Sequence, residues 1–448
     1  HIADVSYYVT EGSPLDEEAF RRGTSVYFPE RAIPMLPERL SNGICSLNPR
    51  VVRLTMSAIM DIDRTGRVID YRLTPSVIHS RERMTYTEVN DMLNNPGGET
   101  ARRYAHVKEM IEAMHGLALV LIERREKRGA IDFDLPEAEL LFNDEGQIGG
   151  IVRAERNIAH RLIEEFMLLA NETVALHLET LGAPSLYRIH EEPNPVKVEE
   201  FAEIAASFGH KFSMAGPTPQ RGFQRLAREV RGHPEERMLS YLMLRSMQRA
   251  RYAPQNRGHY GLAMKTYTHF TSPIRRYPDL IVHRILREVL ESGDRGEATW
   301  QQVDLGRKRA LKSVSWPVLD EEREREIRLS LDMIGNHSSE RERAADDAER
   351  ELMDWRKAEF MAGHVGSEFD GVIKSVKDYG FYVELNEFFV EGLVHITTLS
   401  DDLYEFHERK HRLAGARTGR QFRLGDAVRV SVDRVDRARH LIDFSVVK

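Results

Sequence analysis

The sequence predicts an α+β protein in two parts: a mixed α/β domain over residues 1–360, then an all-β barrel of OB type over residues 361–448. Three observations predict it. A chain of 448 residues is too long for one ordinary core. Up to Phe360, helix-period segments are interleaved with short strand-like runs. Beyond Phe360 come FDGVIKSV, YGFYVEL, EGLVHI, LGDAVRVSVDRV and HLIDFSVV, short strands spaced by turns, the pattern of a small Greek-key barrel.

The composition is that of an ordinary globular protein, 41% hydrophobic and 30% charged. No apolar run approaches membrane-spanning length, and His1 does not open a signal peptide. The single cysteine, Cys45, excludes an internal disulfide and fits a reducing cytoplasm. No Cys/His cluster in the sequence suggests zinc. A formal charge of -7 argues against coating nucleic acid along the whole surface. It leaves room for a local basic channel, because steering depends on where charge sits.

In chain order, His1–Val9 alternates like a strand, with Ile2, Val5 and Val9 as core residues. Tyr27–Pro37 is punctuated by prolines and reads as an extended surface segment. Val51–Asp63 and Arg67–Ile78 read as paired strands turning at Asp63-Arg64-Thr65-Gly66. Arg81–Val89 leads into a helix. Tyr104–Arg128 is an amphipathic helix closed by Gly129, with Tyr104, Val107, Ile111, Met114, Ala118 and Leu121 on its packing face. Asn157–Leu178 is a helix apolar on two flanks, with a polar stripe of Asn157, His160, Glu164 and Asn171 between them. Such a stripe is either an internally satisfied seam or the lining of a wet channel. Arg221, Arg225, Arg228 and Arg231 form a charge run whose simplest reading is a solvated face. Ser339–Phe360 reads as a charged helix, capped by Ser339 with Glu342 and packing through Ala345, Ala348, Leu352 and Trp355. Asp61 with Asp63, and Asp132 with Asp134, are Asp-x-Asp pairs. Spacing alone does not make them metal sites, since alternate residues share a face in every strand.

The run HYGLAMKTYTHFTSPIRRYPDLIVH, His259–His283, is the centre of the functional reading. Ser272-Pro273 marks a turn and a helix start, which places Arg275 in the first helical turn beside free backbone N–H groups. A phosphate is held well there, by the helix end and by the planar guanidinium. A solvated arginine pair is the other reading of the same pattern.

This run resembles the signature of the ribonuclease II/ribonuclease R (RNB) exonucleases. The match runs through His259-Tyr260-Gly261-Leu262, Tyr267-Thr268, Phe270 to Tyr277, Asp279 and His283. The RRYPD form, with HRLAGARTGRQFRLGD, is closer to the ribonuclease R branch. The segment from Gly371 to Ile396 resembles the S-one RNA-binding domain. The resemblance implies 3′-to-5′ hydrolysis of single-stranded RNA to nucleoside 5′-monophosphates by a cytoplasmic monomer, with RNA-decay partners. Arg275 is then catalytic, at the scissile phosphate, and Glu349 supports the active site. Tyr27 and Phe133 clamp the terminal bases, while Tyr86 and Glu164 position the RNA end. Tyr379, Tyr382 and His395 form the RNA-facing patch of the barrel, with Arg423, Arg429, Arg434, Arg437 and Arg439 supplying charge. The resemblance also implies magnesium, bound in the family by an aspartate-rich motif that precedes the segment matching HIADVS. Its ligands are therefore expected outside this chain. A binding module without catalysis is the alternative expectation for residues 1–448.

Overall fold

A long hairpin, a long helix and a closed barrel position the candidate site. In chain order come β1 (Ile2–Ala3), α1 (Pro14–Arg22), the short hairpin β2 (Val26–Tyr27) and β3 (Ala32–Ile33), and the long hairpin β4 (Val52–Ile62) and β5 (Val68–His79). Next are α2 (Tyr86–Asn94), α3 (Glu99–Arg103), α4 (Lys108–Arg128), and the hairpin β6 (Ala138–Phe142) and β7 (Ile148–Arg153). Then follow α5 (Ile158–Thr180), β8 (Tyr187–Ile189), α6 (Pro195–Ser207), α7 (Gln220–Glu229), α8 (Glu236–Ser246), β9 (Arg251–Ala253), α9 (Tyr277–Ser292) and α10 (Glu321–Met361). The computed structural model describes residues 1–132, 138–214, 219–233, 235–292, 304–314, 316–408 and 411–447.

The predicted five strands close into a barrel: β10 (Glu368–Lys377), β11 (Gly380–Leu385), β12 (Glu391–His395), β16 (Ala427–Asp436) and β17 (Leu441–Val446), in the order β10-β11-β12-β17-β16. Phe381, Val383, Val394, Val430, Val432 and Phe444 fill it. Between β12 and β16 the chain adds a separate sheet of β13 (Tyr404–His407), β14 (Arg412–Gly415) and β15 (Gln421–Arg423), which the sequence pattern did not signal. Asp402 ties its far end, accepting from the Arg417 and Thr418 amides and the Thr418 hydroxyl.

The β4–β5 hairpin forms where predicted. Asp63 staples its turn by accepting from the Thr65 and Arg67 amides at 2.8 and 3.0 Å. Asn157 caps α5, accepting from Ala159 and His160. Helix α4 starts at Lys108, later than the pattern suggested, after a 3-10 turn over Ala105–Val107.

Four expectations are corrected. In the opening segment only Ile2–Ala3 is strand. Val5–Tyr7 winds into a 3-10 turn, which still leaves Val5 and Val9 fully buried. The proline-rich stretch is not a surface segment throughout: Met35 and Leu36 are completely buried, and Met35 donates its amide to the Ser25 hydroxyl. Ser339 does not start a helix. Helix α10 is 41 residues long and begins with Asp320 as N-cap, accepting from the Arg323 amide. The Ser339 hydroxyl sits mid-helix, donating to the Gly335 carbonyl and accepting the Tyr252 amide, the back-bonding open to a helical serine. Finally, residues 273–275 form a turn and α9 begins only at Tyr277.

Helix α10 belongs to both halves. Ile327, Leu331 and Ile334 enter the large core with Leu280, Val282 and Leu286 of α9. At its far end Met361, fully buried, enters the barrel core. Ala348, Leu352 and Trp355 are only half-buried. With Phe28 and Arg356 they line a groove, so they are not part of the core.

Candidate nucleic-acid interface

The His259–His283 run is mostly scaffold. Tyr260, Tyr267, Phe270 and His283 are buried. His283 Nε2 donates to the Phe270 carbonyl oxygen at 2.8 Å, and its ring stacks on Phe270 at 4.3 Å. The Tyr267 hydroxyl accepts from Asn171, whose own carbonyl oxygen accepts the Phe270 amide. Asn171 is thus an internally satisfied member of the α5 stripe.

Within this scaffold the two arginines have different fates. The carboxylate of Asp279 is fully buried and accepts both the Ser272 amide and Arg276 Nη2 at 2.7 Å. That pair holds Arg276 inward and charged, with Asp279 more than offsetting the effect of burial. Arg275, half-buried in the turn, has no side-chain hydrogen bond or ion pair among the described residues. Its amide is not free, however, since it donates to the Ser272 carbonyl at 3.1 Å. A bound anion at Arg275 would therefore rely on the guanidinium, not on a helix end.

The turn is stitched to a distant segment. The Ser25 amide donates to the Arg275 carbonyl, and the Tyr277 amide to the Gly23 carbonyl, each at 2.9 Å. Two residues beyond Ser25, the Tyr27 amide donates to Glu349 Oε1 of α10 at 2.6 Å. The structure thereby brings Arg275, Tyr27 and Glu349 into one hydrogen-bonded patch, with the Tyr27 ring half-exposed. Glu349 acts on the backbone, which the sequence did not indicate.

Around the buried Tyr252 lies a polar cluster that sequence reasoning passed over. Arg188 lies over the Tyr252 ring at 4.6 Å and donates to Glu342 at 2.6 Å. The Tyr252 hydroxyl pairs with His269 Nδ1 at 2.8 Å. Burial, then Arg276 and Arg188, holds His269 neutral, far below the ordinary histidine range. On α10, Asp346 stands one turn from Glu342 and Glu349. Burial and those two carboxylates push its pKa up. The only sequence signal for this cluster was the i, i+4, i+7 spacing of the three acids.

A second patch gathers at the start of α5. Tyr86, the first residue of α2 after a Thr85–Glu88 capping box, stacks on His160 at 4.0 Å. Arg156 donates to both Glu164 and Asp132 at 2.8 Å. Although burial works the other way, Arg156 holds the Asp132 carboxylate below its usual range. Arg156 was missed because it lies outside the helix, just before its cap. Phe133 and Asp134 lie outside the described residues.

On the barrel, Tyr379 and Tyr382 meet hydroxyl to hydroxyl at 3.3 Å, their rings near perpendicular. Gly380 pairs with His395 across β11 and β12, so the exposed histidine sits beside Tyr379. Gly380 is required there: a Cβ would lie 2.2 Å from the Val394 carbonyl oxygen. The expected basic supply is reduced, because Arg429 pairs with Glu368 and Arg423 with Gln421. In the charge run, the exposed side chains of Arg221 and Arg228 reach across to the Lys127 carbonyl and the Glu126 carboxylate at the end of α4, and Arg225 donates to the Ser213 carbonyl.

Ribonuclease R 1 of Lactococcus lactis is 47% identical over 99% of this chain and 51% of its own length. Ribonuclease R of Aquifex aeolicus is 44% identical over 100% of this chain and 60% of its own, and that of Escherichia coli 42% identical over 100% and 52%. The chain thus spans little more than half the length of these relatives. Among solved structures, the apo form of Mycoplasma genitalium RNase R superposes with a TM-score of 0.87 at 28% identity, covering 99% of this chain and 66% of that one. The same enzyme in complex with ribose methylated single-stranded RNA gives the same values. Residues 364–447 match the S1 RNA binding domain. Residues 1–292 match the RNB domain, and on that match the chain belongs to the RNB-domain family.

Proposed function

We propose that this chain acts as a processive 3′-to-5′ exoribonuclease on single-stranded RNA, releasing nucleoside 5′-monophosphates. The observation that carries the reading is Arg275: a guanidinium set in a buried scaffold, unpaired, and tied through two backbone links to an exposed aromatic ring and a carboxylate. Arg275 would bind the scissile phosphate and stabilise charge developing on its oxygens. Asp279 would keep Arg276 out of that role and preserve the turn. Tyr27 would stack on the terminal base, a contact worth about 1–3 kcal/mol, with Phe133 as the opposite wall. Glu349 would set the Tyr27 backbone. Tyr86, backed by His160, and Glu164, oriented by Arg156, would hold the next nucleotides. Tyr379, Tyr382 and His395 would guide the incoming strand.

Four candidate carboxylates are already engaged and do not fit magnesium. Asp4 is taken by Arg287 and Ser6, Asp63 by its turn, Asp132 by Arg156, and Glu349 by the Tyr27 amide. The magnesium that the family resemblance implies is therefore assigned to no residue of this chain, and none of the roles above involves it. That the curated relatives are named as ribonucleases supports hydrolysis over binding alone. No helix among the described residues is long and apolar enough to cross a membrane. A cytoplasmic location is part of the proposal, supported by one buried cysteine whose thiol is pushed up to about 11 by burial.

The test is degradation of a 5′-labelled single-stranded RNA with magnesium present. Arg275→Ala should lower kcat by about 100-fold or more while gel-shift affinity changes little. Wild-type turnover by Arg275→Ala would overturn the assignment.

A further inference from the structure

Away from the RNA patches, three segments converge at the edge of the α6–α7–α8 block. The chain leaves α6 through Phe208 and Gly209, and His210 follows, almost fully buried. Glu229 is the last residue of α7, and Glu235 is the N-cap of α8. His210 Nδ1 meets Glu229 Oε1 at 2.7 Å, and its Nε2 meets Glu235 Oε1 at 2.8 Å. His233 Nδ1 faces the same Glu235 oxygen at 3.6 Å. Ligand atoms of His210, His233 and Glu235 all lie within 4.8 Å of one another.

We propose that His210, His233 and Glu235 bind one divalent transition-metal ion of the zinc class, with Glu229 orienting His210. Two imidazoles and a carboxylate are a zinc-type donor set, whereas magnesium prefers oxygen alone. Tetrahedral zinc with bonds near 2.0–2.1 Å needs ligand atoms about 3.4 Å apart, so the 2.8 Å His210–Glu235 spacing would open while exposed His233, 3.6 Å from Glu235, would swing inward. The Glu229 carboxylate on the far nitrogen of His210 is the partner that metal-bound histidines ordinarily have. A plain ion-pair cluster, with His210 between two glutamates and His233 drawn to Glu235 by charge, is the alternative that metal titration distinguishes. The His233 side chain is 53% exposed, which gives the ion an entry path and leaves its fourth position to water. The ion would clip the ends of α6 and α7 to the start of α8. That block packs on the barrel, where Phe208 and Met238 both touch the Gly425 turn. His233 and Glu235 are two residues apart, but His210 joins them only through the packing of α6 against α8, so no local motif announced the set.

The test uses the whole 448-residue chain, stripped with EDTA and titrated with cobalt(II), then zinc(II). One equivalent of cobalt should give the visible d–d absorption of a low-coordinate nitrogen–oxygen site, and zinc should bleach it. His233→Ala, at an exposed ring, should fold normally and bind cobalt at least 10-fold more weakly. Glu229→Gln should weaken it roughly 10–100-fold. His210→Gln should abolish the band; if that variant fails to fold, His233→Ala decides alone. Absence of stoichiometric cobalt binding, or binding unchanged in His233→Ala, would overturn the site and leave an ion pair.

Discussion

One carboxylate decides what each of two adjacent arginines can do. Asp279 holds Arg276 in the interior, and the Arg275 guanidinium is left without a partner among the described residues. Asp279→Asn should therefore strand a buried guanidinium and lower stability by about 3–5 kcal/mol, read as a shift in the urea midpoint. Arg276→Met in the same chain should recover part of the loss. Asp402 gives a pH prediction. Hydrogen bonds from Thr418, first its hydroxyl, depress the Asp402 carboxyl to about 2. A depressed carboxylate contributes stability that is fully present above its unfolded value, near pH 4, and is lost as pH falls through the folded value. Exchange protection of the β14–β15 amides should therefore fall between about pH 4 and 2. Asp402→Asn should have lower protection without that step. The residues at the candidate patches were readable from the family resemblance, Arg275 inside the signature run and Tyr27, Tyr86 and Glu164 outside it. Their partners were not. Glu349 bonding to an amide, or Arg156 bridging two acids, follows from tertiary approach that no local spacing encodes.

Elements were read well where period and turn chemistry agreed. The β4–β5 hairpin, α5 and the barrel strands each combine a clean apolar period with a recognisable stop. Errors came where one signal was taken alone. Ser339 has capping chemistry, but the helix had already nucleated at Asp320. Ser272-Pro273 has helix-start chemistry, but Asp279 captures the Ser272 amide and the chain turns before the helix forms. The β13–β15 sheet is too short and too polar to show a period of two. Close packing of α10 on β9 makes a prediction against helix propensity. A Cβ at Gly335 would lie 2.9 Å from the Tyr252 carbonyl oxygen. Gly335→Ala, stabilising in an isolated helix, should here cost about 1–3 kcal/mol by thermal unfolding.

For the whole molecule, α10 joins what the composition shift at Phe360 separates. At 41 residues it is about 60 Å long. Along that length it meets β9 at Gly335, Arg188 at Glu342, the Tyr27 amide at Glu349 and the barrel interior at Met361. These four appointments are kept in angular phase. Inserting one alanine between Gly335 and Glu342 would rotate everything downstream by about 100° and advance it by about 1.5 Å. No rotation of the barrel could restore both Glu349 and Met361 to their seats while Ile334 stays in its own. The rod should thus accept most exposed substitutions yet refuse single-residue insertions. A scan that compares the two at the same positions would expose this asymmetry as a loss of soluble, folded protein for the insertions alone.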